Sequence, residues 1–122
     1  MILVKNDELE NYIFSFSIMN EKEYLGQIIV VPHPKDPKGG MVHIGIIKKW
    51  RCRWLRKGFA NQIYYAITDT ARSYGLNILY STAIHKNSPR LLEFFGFQEY
   101  YKKQPNKYYY MNLRGNSWEY QH

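Results

Sequence analysis

The sequence predicts one mixed domain of α+β class: a mostly antiparallel sheet, one long helix and a second, short one. Three observations carry this. Before residue 47 the apolar runs are short, rich in β-branched and aromatic residues, and separated by turn formers. From Gly58 the apolar spacing changes to three and four, and after Gly75 strand-like runs return. At 122 residues the chain has the length of a single domain, read here as 1–122. An apolar share of 45% against 22% charged residues supports a packed core and excludes a disordered chain.

The elements follow in order. Tyr12 to Met19 (YIFSFSIM) alternates enough to be a strand, Asn20 to Glu23 is a turn, and Tyr24 to Val31 is the returning strand. Pro32, Pro34, Asp36, Pro37, Gly39 and Gly40 predict a loop that neither helix nor sheet tolerates. Met41 to Ile47 is a third strand. Phe59, Ile63, Ala66, Ile67, Thr70, Ala71 and Tyr74 then mark one face of a helix of about four turns, with Gly75 placed for a left-handed cap. Ile78 to Ile84 is the next strand. Ser88 and Pro89 open a short helix carrying Leu91, Leu92 and Phe95, which Gly96 closes. Phe97 to Leu113 is a final hairpin turning near Gln104-Pro105-Asn106. The predicted order is β-β-β-α-β-α-β-β, with a parallel crossover over the long helix.

Charge is unevenly spread. Residues 1–47 carry four lysines and six acids, whereas residues 48–122 carry thirteen basic residues and four acids. The segment KKWRCRWLRK at 48–57 holds six of those basic residues and no acid, which suits a phosphorylated ligand or another polyanion. Cys52 is the single cysteine, so an internal disulfide and a zinc ribbon are both excluded, and the four histidines show no metal-site spacing. The opening MILVKNDELE holds four charges, so a signal peptide is not expected, and no apolar run nears the roughly 20 residues that span a bilayer. The expectation is a cytoplasmic protein with no metal and no membrane partner.

Leu55-Arg56-Lys57-Gly58-Phe59-Ala60 stands between a strand and the amphipathic helix. The first N–H groups of a helix lack internal partners and its dipole favours negative charge there. Gly58 permits close approach of the backbone to a phosphate, Ala60 keeps the helix start open, and Arg53, Arg56 and Lys57 add positive charge.

This arrangement resembles the GNAT superfamily of N-acetyltransferases, whose members bind acetyl-CoA at a [Gln/Arg]-x-x-Gly-x-[Gly/Ala] loop opening the central helix. Lys57-Gly58-Phe59-Ala60 matches the second half of that motif, and Trp54 matches the aromatic often found before it. Downstream, Asn87-Ser-Pro-Arg-Leu-Leu-Glu-Phe-Phe-Gly-Phe97 is similar to the family's short helix ending in Gly-Phe. The resemblance covers residues 12–113 and implies coenzyme contacts from Trp50, Arg51, Cys52, Arg53, Leu55, Arg56, Lys57, Gly58, Phe59, Ala60 and Asn87. There are departures. Leu55 stands where the family usually has Gln or Arg, Leu92 stands where it often has a tyrosine acid, and two customary helices have no room before Tyr12. The N-terminal helices are therefore expected to be reduced or absent.

The resemblance implies acetyl-CoA-dependent transfer directly to an amine of a protein or other macromolecule, without a covalent enzyme intermediate. His85, at the end of the fourth predicted strand, and His43, on the third, are the candidate general bases, histidine being the side chain type whose unperturbed pKa, about 6.5, lies near the useful range. Tyr80 and Tyr100 are candidate acids, and backbone N–H groups near Lys49 to Arg51 a candidate oxyanion site. Cys52, between Arg51 and Arg53, has no role as a nucleophile in direct transfer. The alternative function is a non-catalytic GNAT-fold binding module for nucleic acid or a protein. The hairpin supports it by interleaving Tyr100, Tyr101, Tyr108, Tyr109 and Tyr110 with Lys102, Lys103 and Lys107. Five tyrosines on one hairpin cannot all reach a core of this size, so an exposed aromatic surface is expected, suited to a homodimer or another partner.

Overall fold

The chain order is β1 (Ile2–Lys5), β2 (Phe14–Asn20), β3 (Glu23–Pro32), β4 (Gly39–Ile46), α1 (Phe59–Ser73), β5 (Ile78–Ala83), β6 (Gln98–Lys103) and β7 (Asn106–Asn112). The structure, a computed structural model, describes residues 2–6, 11–47, 59–83, 92–93 and 95–114. All seven strands join one sheet in the order β1-β2-β3-β4-β5-β7-β6. Every neighbouring pair is antiparallel except β4 with β5. The mixed, mostly antiparallel sheet with a long helix in its crossover is thus as the sequence predicts.

Three expectations are corrected. Ile2–Lys5 is a strand, paired from Ile2 with Met19 to Lys5 with Phe16, although its four residues carry no turn signal ahead of them. The segment after Val31 is less of a loop than its prolines and glycines suggest: Pro32 ends β3 and pairs with Gly40, and Gly39 and Gly40 open β4. Sheet is tolerated there because glycine is what the packing needs. A Cβ on Gly39 would stand 2.7 Å from the Tyr80 ring, and one on Gly40 would stand 2.8 Å from Val30 Cγ1. The helix stripe is also rotated from the one predicted. Tyr64 and Thr68 are buried beside Ile63, Ile67 and Ala71, whereas Thr70 is only partly covered. Thr68 can be buried because its hydroxyl donates to the Tyr64 carbonyl one turn back, at 2.9 Å.

The core lies between α1 and one sheet face. Phe14, Phe16 and Ile18 of β2, Ile28 and Val30 of β3, Val42 of β4, Leu79 of β5 and Met111 of β7 all point to it. The helix ends as its sequence predicts. Gly75 adopts φ 79°, with Gly75 N donating to the Arg72 carbonyl and Leu76 N to the Ala71 carbonyl. Where the short second helix is expected, Leu92 and Glu93 are helical, Gly96 has φ 90°, Gly96 N donates to the Glu93 carbonyl and Phe97 N to the Leu92 carbonyl, while Ser88 to Leu91 lie outside the described residues. Arg72 ties the last turn of α1 to the end of β7 by donating to the Leu113 carbonyl. Among the described residues no helix is long and apolar enough to cross a membrane, and no cluster of potential metal ligands occurs.

Candidate active site

The parallel ladder between β4 and β5 is short. It pairs Gly39 with Ile78, Gly40 with Leu79 and Met41 with Tyr80, and there it ends, although both strands continue. Just past the last pair, the Ser81 hydroxyl donates to the Val42 carbonyl at 3.0 Å, so a side chain takes up the carbonyl that the ladder leaves. Beyond this point β4 and β5 form a fork. Strand alternation turns the Ile44 peptide groups to the same side as the Val42 carbonyl, into the fork.

The position of α1 relative to the fork follows from its connections. Its C-terminus runs through Gly75 and Leu76 directly into β5, and Asn77 N donates to the Lys38 carbonyl at 2.8 Å, beside the start of β4. The helix therefore runs back against both strands, and its first turn stands at their carboxyl ends. No acidic residue lies in that turn to neutralise the dipole. A crossover helix starting over the carboxyl ends of diverging parallel strands is the usual place for ligands in open sheets.

Phe59 and Ala60, from the motif, are the first residues of α1. His43 lies on β4 beyond the ladder, opposite Ile29, exposed on the sheet face away from α1. Trp50, Arg51, Cys52, Arg53, Leu55, Arg56, Lys57, Gly58, His85 and Asn87 lie outside the described residues. Leu92, standing where the family often has a tyrosine, is buried in the core, and Glu93 accepts from the Tyr109 hydroxyl at 3.4 Å.

Of the two tyrosine candidates, Tyr80 is engaged. Its hydroxyl donates to Asp36 Oδ2 at 2.9 Å. Burial, then this hydrogen bond and the Asp36 charge, push its pKa up to about 12, which makes it a reluctant proton donor. The His33 ring lies 4.3 Å from the Tyr80 ring, and His33 Nδ1 accepts from the backbone N–H groups of Lys35 and Asp36. His33 thus holds a turn. Sequence reasoning missed Ser81 and the Asp36–Tyr80 bond. The Gly39-Gly40 pair was the available signal, since adjacent glycines before a strand mark close backbone approach.

No family model and no curated protein matches the sequence. Solved structures do. A ribosomal-protein alanine acetyltransferase of Vibrio fischeri superposes with a TM-score of 0.67 at 14% identity, covering 84% of this chain and 62% of that one. The yncA protein of Salmonella typhimurium, solved with its cofactor acetyl-CoA, gives 0.67 at 13%, covering 85% and 66%. The GNAT domain of S. lividans PAT gives 0.66 at 9%, covering 81% and 60%. This chain has the GNAT fold. It spans about three fifths to two thirds of these GNAT chains, and the fork between β4 and β5 lies within the central sheet of that fold.

Proposed function

We propose that the protein is an acetyl-CoA-dependent N-acetyltransferase, acting as a single domain in the cytoplasm on an amine of a protein or other macromolecule. The observation that carries the reading is the fork, with the start of α1 at its mouth. Coenzyme A is an extended arm with amide groups, ending in a pyrophosphate and nucleotide. A strand edge freed from its ladder suits the amides, and a dipole without compensating acids suits the phosphates. In this reading Arg56 to Ala60 hold the pyrophosphate, the chain from Trp50 to Leu55 borders the arm, and Asn87 steadies it.

Acetyl-CoA supplies an activated acyl group. The acceptor nitrogen forms a bond to the acyl carbon as the carbon–sulfur bond breaks, so the ammonium must first lose a proton and the thiolate must end with one. His85 is the proposed base and His43 the second candidate, the latter exposed beside the fork. The Vibrio fischeri neighbour, named for a protein alanine, supports a macromolecular amine as acceptor.

Calorimetry with acetyl-CoA tests the reading. The wild-type protein should bind, and Gly58→Val should abolish binding while the far-ultraviolet spectrum is kept. A folded Gly58→Val variant with wild-type affinity would overturn the placement of the pyrophosphate. The second reading, a binding module without turnover, is favoured by the burial of Leu92 where the family often has its acid. An acceptor screen that shows coenzyme binding but no thiol release would select it.

A further inference from the structure

The sheet face away from α1 carries a continuous run of aromatic rings. His33 contacts Tyr80 at 4.3 Å, Tyr80 contacts Tyr100 at 6.3 Å, Tyr100 contacts Tyr108 and Tyr110 at 6.4 and 5.9 Å, and Tyr101 contacts Tyr108 at 5.5 Å. Among the described residues no helix covers these rings. Alternating tyrosines on a strand need no explanation beyond sheet propensity, but this hairpin does not simply alternate. The register of β6 on β7 slips between Glu99 and Tyr101, so the consecutive Tyr100 and Tyr101 both meet Tyr108, on one face. They remain 52% and 54% exposed, while Tyr109 on the other face is fully buried. The bulge therefore adds an aromatic ring to a surface, not to the core.

The charges at the turn of the hairpin have one sign. Lys103, paired with Asn106 next to the turn, shares the ring face and is exposed, whereas Lys102 and Lys107 pair with each other on the opposite face, the side of Tyr109. Of the nearby acids, both Asp36 carboxylate oxygens already accept hydrogen bonds, from Tyr80 and from Lys38 N. Glu99 pairs with Tyr109, on the core side of the strand. The bulge and the two lysines also guard the β6 edge against addition of another strand, and a net charge of +7 opposes association with a second copy.

We propose that this face binds single-stranded nucleic acid, with bases stacking on Tyr100, Tyr101 and Tyr108 and phosphates meeting Lys103 beside them, while Lys102 and Lys107 add positive charge around the turn. Aromatic rings presented on a sheet beside lysines are a physical basis for sequence-tolerant single-strand binding. The proposal is independent of the acetyltransferase reading, because it needs neither the fork nor the coenzyme.

Fluorescence anisotropy of a labelled single-stranded RNA of about 12 nucleotides, without acetyl-CoA, tests it. The wild-type protein should bind, with affinity falling as salt rises. Tyr100→Ala/Tyr101→Ala should weaken binding by about 10- to 100-fold, and since both rings are exposed its thermal midpoint should stay near wild type. Lys103→Ala should weaken binding more than Lys102→Ala does, and flatten the salt slope by about 0.7 for the one phosphate that is no longer neutralised. Tyr24→Ala, exposed on β3 away from the patch, should bind as wild type. A wild-type protein that leaves the anisotropy unchanged would overturn the proposal. So would a tyrosine double variant with full affinity, or duplex RNA or anionic vesicles bound as tightly as the single strand. A concentration-dependent dimer abolished by the tyrosine changes would reassign the face to a second copy.

Discussion

Gly40 and Gly45 lie on the same strand but meet opposite surroundings, and alanine at each should shift stability in opposite directions. A Cβ on Gly40 would stand 2.8 Å from Val30 Cγ1, 3.0 Å from Leu76 Cδ1 and 3.5 Å from Leu79 Cδ2. Val30 and Leu79 are fully buried and Leu76 is 7% exposed, so none can swing into solvent. Val30 is also β-branched and restricted at χ1. Overpacking of such a site costs about 1–3 kcal/mol. Stiffening the unfolded chain by Gly→Ala returns about 0.4–1 kcal/mol. The clash term is the larger, so Gly40→Ala should lose about 1–2 kcal/mol, a fall of roughly 3–10 °C in Tm for a chain of this size. At Gly45 a Cβ would meet nothing within 4 Å, so only the unfolded-state term acts and stability should hold or rise slightly. Urea unfolding followed by circular dichroism, with slopes compared, measures both. A Gly40→Ala midpoint at or above wild type, or equal shifts in the two variants, would refute the claim that the fork closes on a glycine for lack of space.

Three further outcomes are expected. The hydroxyls of Tyr80 and Tyr109 are each pushed up from 10.0 to about 12, chiefly by burial, with Asp36 acting on the first and Glu93 on the second. Because these folded values lie above the unfolded one, their contribution to stability is complete below pH 10 and is lost as pH rises toward 12; tyrosinate absorbance should show them titrating late, and Asp36→Asn should bring Tyr80 earlier. Ser81→Ala leaves the Val42 carbonyl without its 3.0 Å donor and should cost about 1 kcal/mol in urea unfolding, with Ser81→Thr retaining part of it. With a verified acceptor, His85→Ala should lower turnover by about 10²–10⁴-fold while coenzyme affinity holds, and Cys52→Ser should stay within a few-fold; an unimpaired His85→Ala enzyme would move the base to His43 or to water.

The parts of the fold that could be read from sequence are those fixed by local chemistry. The long helix is marked by a repeated stripe and a glycine stop, and both helix ends prove to be glycine caps. The last hairpin turns at Gln104 and Pro105, as its residues indicate. What escaped depends on distant partners. The segment Ile2–Lys5 becomes a strand only because β2 offers it an edge. Gly39 and Gly40 look like loop residues until Tyr80, far away in sequence, and Val30, on the neighbouring strand, occupy the space beside them. Thr68 is polar by type and buried by virtue of a bond to its own helix. For the site, the motif residues Phe59 and Ala60 do begin α1, while Leu55 to Gly58 lie outside the described residues. The fork is not legible, since the point where two parallel strands part depends on where Met41 meets Tyr80.

The single parallel seam also divides the chain in time. On one side of it, β1 to β4 form a meander in which each strand pairs with the one made just before it. As the chain leaves the ribosome this half can assemble strand by strand, with only short loops to close. The seam itself must wait for Tyr80, and β5 gains its second neighbour only when β7 follows. Until then β4 has one bare side, and the apolar face of the meander has only α1, made just before β5, to cover it. The nascent protein therefore passes through a stage in which its most aggregation-prone surface is the one that later frames the fork.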